Sequence, residues 1–167
     1  MQIADRPRWM PAEEIAKPAA MADEKPMSTT KPPRSAYDTV GGMVWFARML
    51  DKVRLFARGE LRPDFHANLG KGMDGVCCSF LRVDYAALRD RVLAGGSDEE
   101  IFEWCQATGR RLNKEDIWVW NQCATRVGWR DLASERLAKL KAEGGIAHRD
   151  DLVTMMDYFE VDEGRRP

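Results

Sequence analysis

From Met43 onward, apolar side chains recur every three or four positions, the spacing that gathers them on one face of an α-helix. In the first such segment Met43, Phe46, Leu50, Val53 and Ala57 share a side, flanked by Met49 and Phe56, while Arg48, Asp51, Lys52, Arg54 and Arg58 mostly occupy the other. The pattern predicts a helix stopped by Gly59 and a loop to about Lys71. A short helix over 74–82 then carries Cys77, Phe80 and Leu81 inward, and Asp84 caps another over 85–94 that ends at Gly95-Gly96. Ser97 and Glu100 have the spacing of a capping box ahead of Ile101, Trp104 and Cys105, and Gly109 ends that helix. Asn113 caps a helix over 114–127 closed by Gly128. Asp131 starts one that runs to 143, before Gly144-Gly145, and Asp150 starts the last, to about 159. Start and stop residues agree with the periodicity at each boundary. No strand-like alternation of useful length and no internal repeat stand out. The expected fold class is all-α: a compact bundle of six or seven short helices, some crossing obliquely.

Residues 1–34 break this pattern. Six of the eight prolines lie there, and proline removes amide donors and blocks helix interiors. A disordered Pro-rich tail is expected over 1–34, with one short helical turn at 13–17 and with Met21 and Met27 as alternative start positions. A single helical domain is expected over 35–167, long enough to bury a core without disulfides or metal.

Formal net charge is −1 and the sequence pI is about 6.2, which argues against broad electrostatic binding to nucleic acid or to a membrane. The longest central apolar run, Met43 to Ala47, falls far short of the ~20 residues that cross a bilayer. Without a secretory signal the expected location is cytoplasmic, with Cys77, Cys78, Cys105 and Cys123 reduced. No Cys-x-x-Cys spacing occurs, so no metal and no cofactor are implied. Charge is uneven along the chain. Residues 34–72 carry seven basic groups against four acidic ones, a net of +3, whereas 150–163 carry six acidic groups and no basic one. The simplest account packs the C-terminal helix against the first helix or its loop. The sharper one is an anion-binding surface on Arg48, Lys52 and Arg62, though that helix lacks interleaved aromatics to stack bases.

Four stretches carry a resemblance. They are Pro33-Arg-Ser35 with Gly41-Gly42 and the Arg48–Lys52 helix, Asp64–Gly70 running into Gly72–Gly75, Trp104 through Arg111, and Trp120-Asn121 followed by Gly128-Trp129. From Pro33 onward the chain resembles a small bacterial all-helical family known only as a domain of unknown function. The resemblance implies a compact helical protein with no established activity, so it assigns no catalytic residue.

Gly70-Lys-Gly72-Met-Asp-Gly75 spells G-x-G-x-x-G at the start of a helix. In dinucleotide-binding folds such glycines let the backbone approach a pyrophosphate. Here no buried strand precedes them and no βαβ unit surrounds them. A milder reading keeps free amides and Lys71 for one phosphate or carboxylate, with Asn68, Gly70, Lys71, Gly72 and Asp74 as the ligand-binding residues. The structural reading is a glycine-rich turn with Asp74 capping the helix.

Asp64, His66 and Cys78 are the candidate catalytic residues. A histidine beside a carboxylate can act as a general base, and a thiol at a helix start can be activated. Against this, His66 can simply bond a backbone carbonyl and pin the loop to the first helix, and the thiols can be buried and inert. Trp118 lies ~160° around its helix from the core residue Trp120, among polar neighbours. It marks either a protein-partner face or a second packing face. The leading functional reading is a binding or regulatory module, using the 64–75 loop for a small anionic ligand or the Trp118 face for a protein partner. The alternative is a small enzyme with acid/base or thiol chemistry around Asp64, His66 and Cys78.

Overall fold

A computed structural model describes residues 30–167. Two antiparallel strands, β1 (Thr39–Val40) and β2 (Met43–Val44), turn over Gly41-Gly42 and lead into α1 (Phe46–Ala57). A 3-10 helix over Pro63–Asn68 precedes α2 (Met73–Leu81), α3 (Tyr85–Leu93), α4 (Asp98–Thr108), α5 (Lys114–Ala124), α6 (Ser134–Glu143) and α7 (Met155–Asp162). The architecture is the expected all-α bundle of short helices, and this hairpin, with two residues in each strand, is the sole sheet among the described residues. None of the described helices is long and apolar enough to cross a membrane.

The turn expected at 13–17, Met21, Met27 and most of the expected tail lie outside the described residues. Among the described residues, contacts with the fold begin at Lys31, upstream of the boundary expected at 35. Lys31 forms a parallel bridge with Leu61. The Arg34 amide donates to Asp51 at 2.9 Å, and its Nη2 donates to the Ala47 carbonyl at 2.9 Å and to Asp98 at 2.7 Å. Composition alone placed this stretch with the prolines, but its side chains reach α1 and α4.

Most helix starts follow from local chemistry. Asp84 accepts from the Ala87 amide, and Ser97 with Glu100 and Asn113 with Asp116 form capping boxes. Three starts after that of α1 differ from the expected ones, the first being α2, whose N-cap is Gly72 with no side-chain bond while Asp74 lies inside the helix. The Asp131 carboxylate accepts from the Gly128 amide at 2.9 Å and the Ala133 amide at 2.8 Å, so it closes a turn and α6 begins later. Thr154, with Asp157 three residues on, caps α7 in place of Asp150, whose amide is bonded to the His148 carbonyl within a turn.

Helix α1 departs furthest from its expected character. Met43 belongs to β2, and Trp45, at φ 72°, breaks the chain direction just before the helix. Phe46, Ala47, Arg48, Met49, Leu50, Lys52, Val53 and Leu55 are all buried. A helix covered on nearly every side is a central one, and here the cover includes the strands, α3 and the elements around them. Arg48 and Lys52, expected at the solvent, are 1% and 4% exposed. A second, smaller cluster of Leu137, Met155 and Tyr158 joins α6 to α7, and Phe159 packs against both clusters.

Asn121 and Trp120 clamp the hairpin to α5. The Asn121 side chain accepts from the Val44 amide (3.1 Å) and donates to the Gly42 carbonyl (2.8 Å), while Trp120 Nε1 donates to the Val44 carbonyl (2.9 Å). At the other end of the core, Gly109 passes so close to the end of α2 that a Cβ there would lie 2.2 Å from the Leu81 carbonyl oxygen. The adjacent Arg110 amide donates to that same oxygen at 2.8 Å, so neither strand of backbone can retreat cheaply. Gly109→Ala is therefore expected to destabilise the fold by about 2–3 kcal/mol, measured by chemical denaturation. Stability equal to the parent protein would contradict this close approach.

Candidate functional site

Lys52 stands in the second turn of α1, and Asp74 is the second residue of α2. Lys52 Nζ lies 2.5 and 2.6 Å from the two Asp74 oxygens, and both side chains are buried. Burial pulls the Lys52 pKa below that of a free amine, and the facing Asp74 opposes the pull. Asp74 also accepts from Trp45 Nε1 at 2.9 Å and from the Gly70 amide at 3.3 Å. The glycine loop is thus folded back onto the acid of the helix it introduces. Gly70 has φ 71°, and a Cβ there would sit 2.5 Å from the Tyr85 ring; glycine alone suits both constraints. A non-glycine residue in the left-handed region costs about 1–3 kcal/mol. Trp45 accepts that conformation, which goes with an indole bonded to Asp74 and lying under Lys52, 5.2 Å from its ring centroid.

One turn earlier on α1, the Arg48 guanidinium lies 5.5, 5.4 and 5.1 Å from the ring centroids of Trp45, Phe65 and Phe159. It makes a two-pronged pair with Glu163, just past the end of α7, and donates to the Arg34 carbonyl at 2.8 Å. Its Nε has no hydrogen-bond acceptor among the described residues. Arg62 joins Asp64 (2.7 and 2.8 Å) to Asp162 (2.5 Å), and these bonds outweigh the opposing effect of burial to hold its pKa above the usual guanidinium value. The acidic C-terminal segment therefore meets α1 and its loop, the packing that the uneven charge suggested.

These elements enclose a cleft of about 470 Å³. Trp45, Arg48 and Lys52 contribute from α1 and its entry, Phe65, Asn68, Lys71, Gly72 and Met73 from the loop side, and Arg136, Leu140, Met155 and Phe159 from α6 and α7. Five cations (Arg48, Lys52, Arg62, Lys71 and Arg136) and two acids (Asp64 and Asp162) line it. Arg48, Lys52 and Arg62 are each held by a carboxylate. Lys71 and Arg136 are exposed and form no ion pair among the described residues.

Of the residues singled out in the sequence, Asp64, Asn68, Lys71 and Gly72 line this cleft, as do Arg48, Lys52 and Arg62 of the expected anion-binding surface, each already held by a carboxylate. Gly70 and Asp74 build it from behind, with the Gly70 amide and both carboxylate oxygens already bonded. His66 is not on the lining. Its Nε2 is 2.9 Å from the Leu61 carbonyl, and its ring stands edge-on to Phe56 at 5.0 Å, which ties the 3-10 helix to the end of α1. Cys78 is buried with its Sγ 3.8 Å from Met49 Sδ, and burial, reinforced by Asp74, pushes its pKa up to about 12. A thiol so protonated is a poor nucleophile at neutral pH. Trp118 is 63% exposed on α5, beside Val119 at 47%, and neither lines the cleft. Among the described residues, no group of three or more His, Cys, Asp or Glu side chains is placed to hold a metal ion.

Sequence reasoning missed Arg136, which reads as one more cation on the polar side of α6, and missed Phe65 and Phe159 as walls. The uneven charge was the sole signal pointing toward their neighbourhood.

A family model described as a domain of unknown function, DUF5069, matches residues 30–165. No curated protein matches the chain in sequence.

Three of the four thiols, those of Cys77, Cys78 and Cys105, are buried, and Cys123 is exposed. Burial raises the pKa of all three buried thiols, those of Cys78 and Cys105 to about 12. At pH 7 a thiol-reactive dye is expected to label Cys123 rapidly and the other three only after unfolding. Rapid modification of Cys78 in the native protein would contradict this arrangement and revive it as a nucleophile.

Proposed function

The chain belongs to the DUF5069 family, a domain of unknown function, and on that premise we propose that it is a binding module that takes a small anionic ligand in the cleft beside the 64–75 loop. The observation that carries this reading is the presence of Lys71 and Arg136, which have no ion pair among the described residues, on the lining of a cleft whose other three cations are already neutralised. A cleft of about 470 Å³ falls within the ~300–1,000 Å³ of small-molecule sites. A group bound there would meet Lys71 from the loop and Arg136 from α6, with Asn68 offering an amide and Gly72 exposed backbone.

Acid/base or thiol chemistry gains less support. Asp64 is engaged by Arg62, His66 by a backbone carbonyl, and Cys78 by the core, so the three do not converge on one lining. A protein partner at Trp118 is a separate reading, favoured by the exposure of Trp118 and Val119 side by side. Trp118→Ala would leave cleft binding unchanged if the two surfaces act independently.

The test is isothermal titration with a panel spanning inorganic phosphate, simple and apolar carboxylates, and nucleotides, on the parent protein and on Lys71→Glu and Arg136→Glu. Both residues are exposed, so the melting temperature is expected to stay within about 2 °C. Each charge reversal is expected to weaken the bound anion by about tenfold or more. No binding by any anion, or binding indifferent to both reversals, would overturn the proposal.

A further inference from the structure

Resting on the anion-binding reading of the cleft, we infer that its ligand is a carboxylate with an apolar body, rather than a free phosphate or a polyphosphate. Three observations converge on that class.

The first is charge. Three of the lining cations are already matched by carboxylates, which leaves Lys71 and Arg136 for a ligand. Asp64 and Asp162 stand on the same lining. A triphosphate would bring three or four negative charges toward two cations that have no ion pair among the described residues and toward the one negative charge of Asp64 and Asp162 that Arg62 leaves unbalanced. A single carboxylate is matched by the cations without loading the acids, because like charges at short range disfavour each other while one charge-assisted pair does not.

The second is the character of the walls. Phe65, Met73, Leu140, Met155 and Phe159 face the cleft from the loop, α6 and α7. Phosphate alone would leave that surface wet. An apolar body would cover it, at roughly 25 cal/mol for each Å² removed from water, and methionine walls adapt to irregular shapes.

The third is position. The cleft runs along the seam between the two apolar clusters: Met73 packs against the larger one, Leu140 and Met155 belong with the smaller one, and Phe159 touches both. Leu137 is the one buried residue of α6. An apolar body in the seam would add contacts to both clusters at once, while its carboxylate paired with Lys71 on the loop or Arg136 on α6.

The experiment is isothermal titration of the full chain with decanoate, 1-naphthaleneacetate, inorganic phosphate and ATP, repeated on Lys71→Glu and Leu140→Gln with melting temperatures as folding controls. At least one of the two apolar carboxylates is expected to bind at least about tenfold more tightly than phosphate or ATP. Both variants are expected to weaken that carboxylate, and which carboxylate binds distinguishes a chain from a ring. If Leu140→Gln fails to fold, Lys71→Glu alone carries the comparison. Phosphate or ATP binding more tightly than both carboxylates, in a manner lost in Lys71→Glu, would overturn the ligand class and leave the anion site standing. Carboxylate binding indifferent to the variants, or no binding by any of the four, would overturn the class and the site together.

Discussion

A charge placed inside a protein must meet its opposite there, and in this fold that requirement is met twice along one helix. Lys52 and Arg48 are carried into the interior by α1, and an unpaired buried charge costs several kcal/mol. Lys52 finds Asp74 at the start of α2, and Arg48 finds Glu163 past the end of α7. The Lys52–Asp74 pair is the more demanding of the two, because Asp74 also receives the indole of Trp45 and the amide of Gly70. One carboxylate thereby fixes the entry to α1, the glycine loop and the first turn of α2.

The cleft follows from that node. With Gly70 drawn back to Asp74, the next residues of the loop present Lys71 and Gly72 outward, and the 3-10 helix is held to α1 by the His66 ring on Phe56 and to α7 by Arg62 between Asp64 and Asp162. Glu163 anchors the end of α7 over the Arg48 guanidinium and its three rings. Helices α6 and α7 then stand across from the loop with a gap between the larger and smaller clusters. The two internal pairs build the frame, and Lys71 and Arg136, which have no ion pair among the described residues, stand on the lining of the gap.

Much of this was legible in the sequence where the chemistry is local. Ser97, Asn113 and Asp84 announced their helices because a cap and its partner lie within three residues of each other. Where two caps competed, the reading went astray: Asp150 resembles a start as well as Thr154 does, and only the pairing of Thr154 with Asp157 separates them. The opposite charge of 34–72 and 150–163 pointed correctly to contact between these segments, yet gave no hint that the contact is internal. Periodicity counts arginine and lysine as solvent residues. Nothing near Arg48 or Lys52 reveals acids that arrive from 115 and 22 residues away. The left-handed turn at Trp45 is likewise a product of tertiary bonding, with no local signature. Within the 64–75 loop, Asn68, Lys71 and Gly72 line the cleft, whereas Asp74 turns inward to a partner that only the fold supplies.

Whether the Lys52–Asp74 pair organises the loop and the cleft is answered by a double-mutant cycle on Lys52→Met and Asp74→Asn, read by chemical denaturation. Each single variant is predicted to lose about 3–5 kcal/mol, as expected when one member of a buried pair is removed, with a coupling of at least about 1 kcal/mol between the two positions. Single variants within about 1 kcal/mol of the parent, or losses that simply add, would show that the pair does not organise this part of the fold.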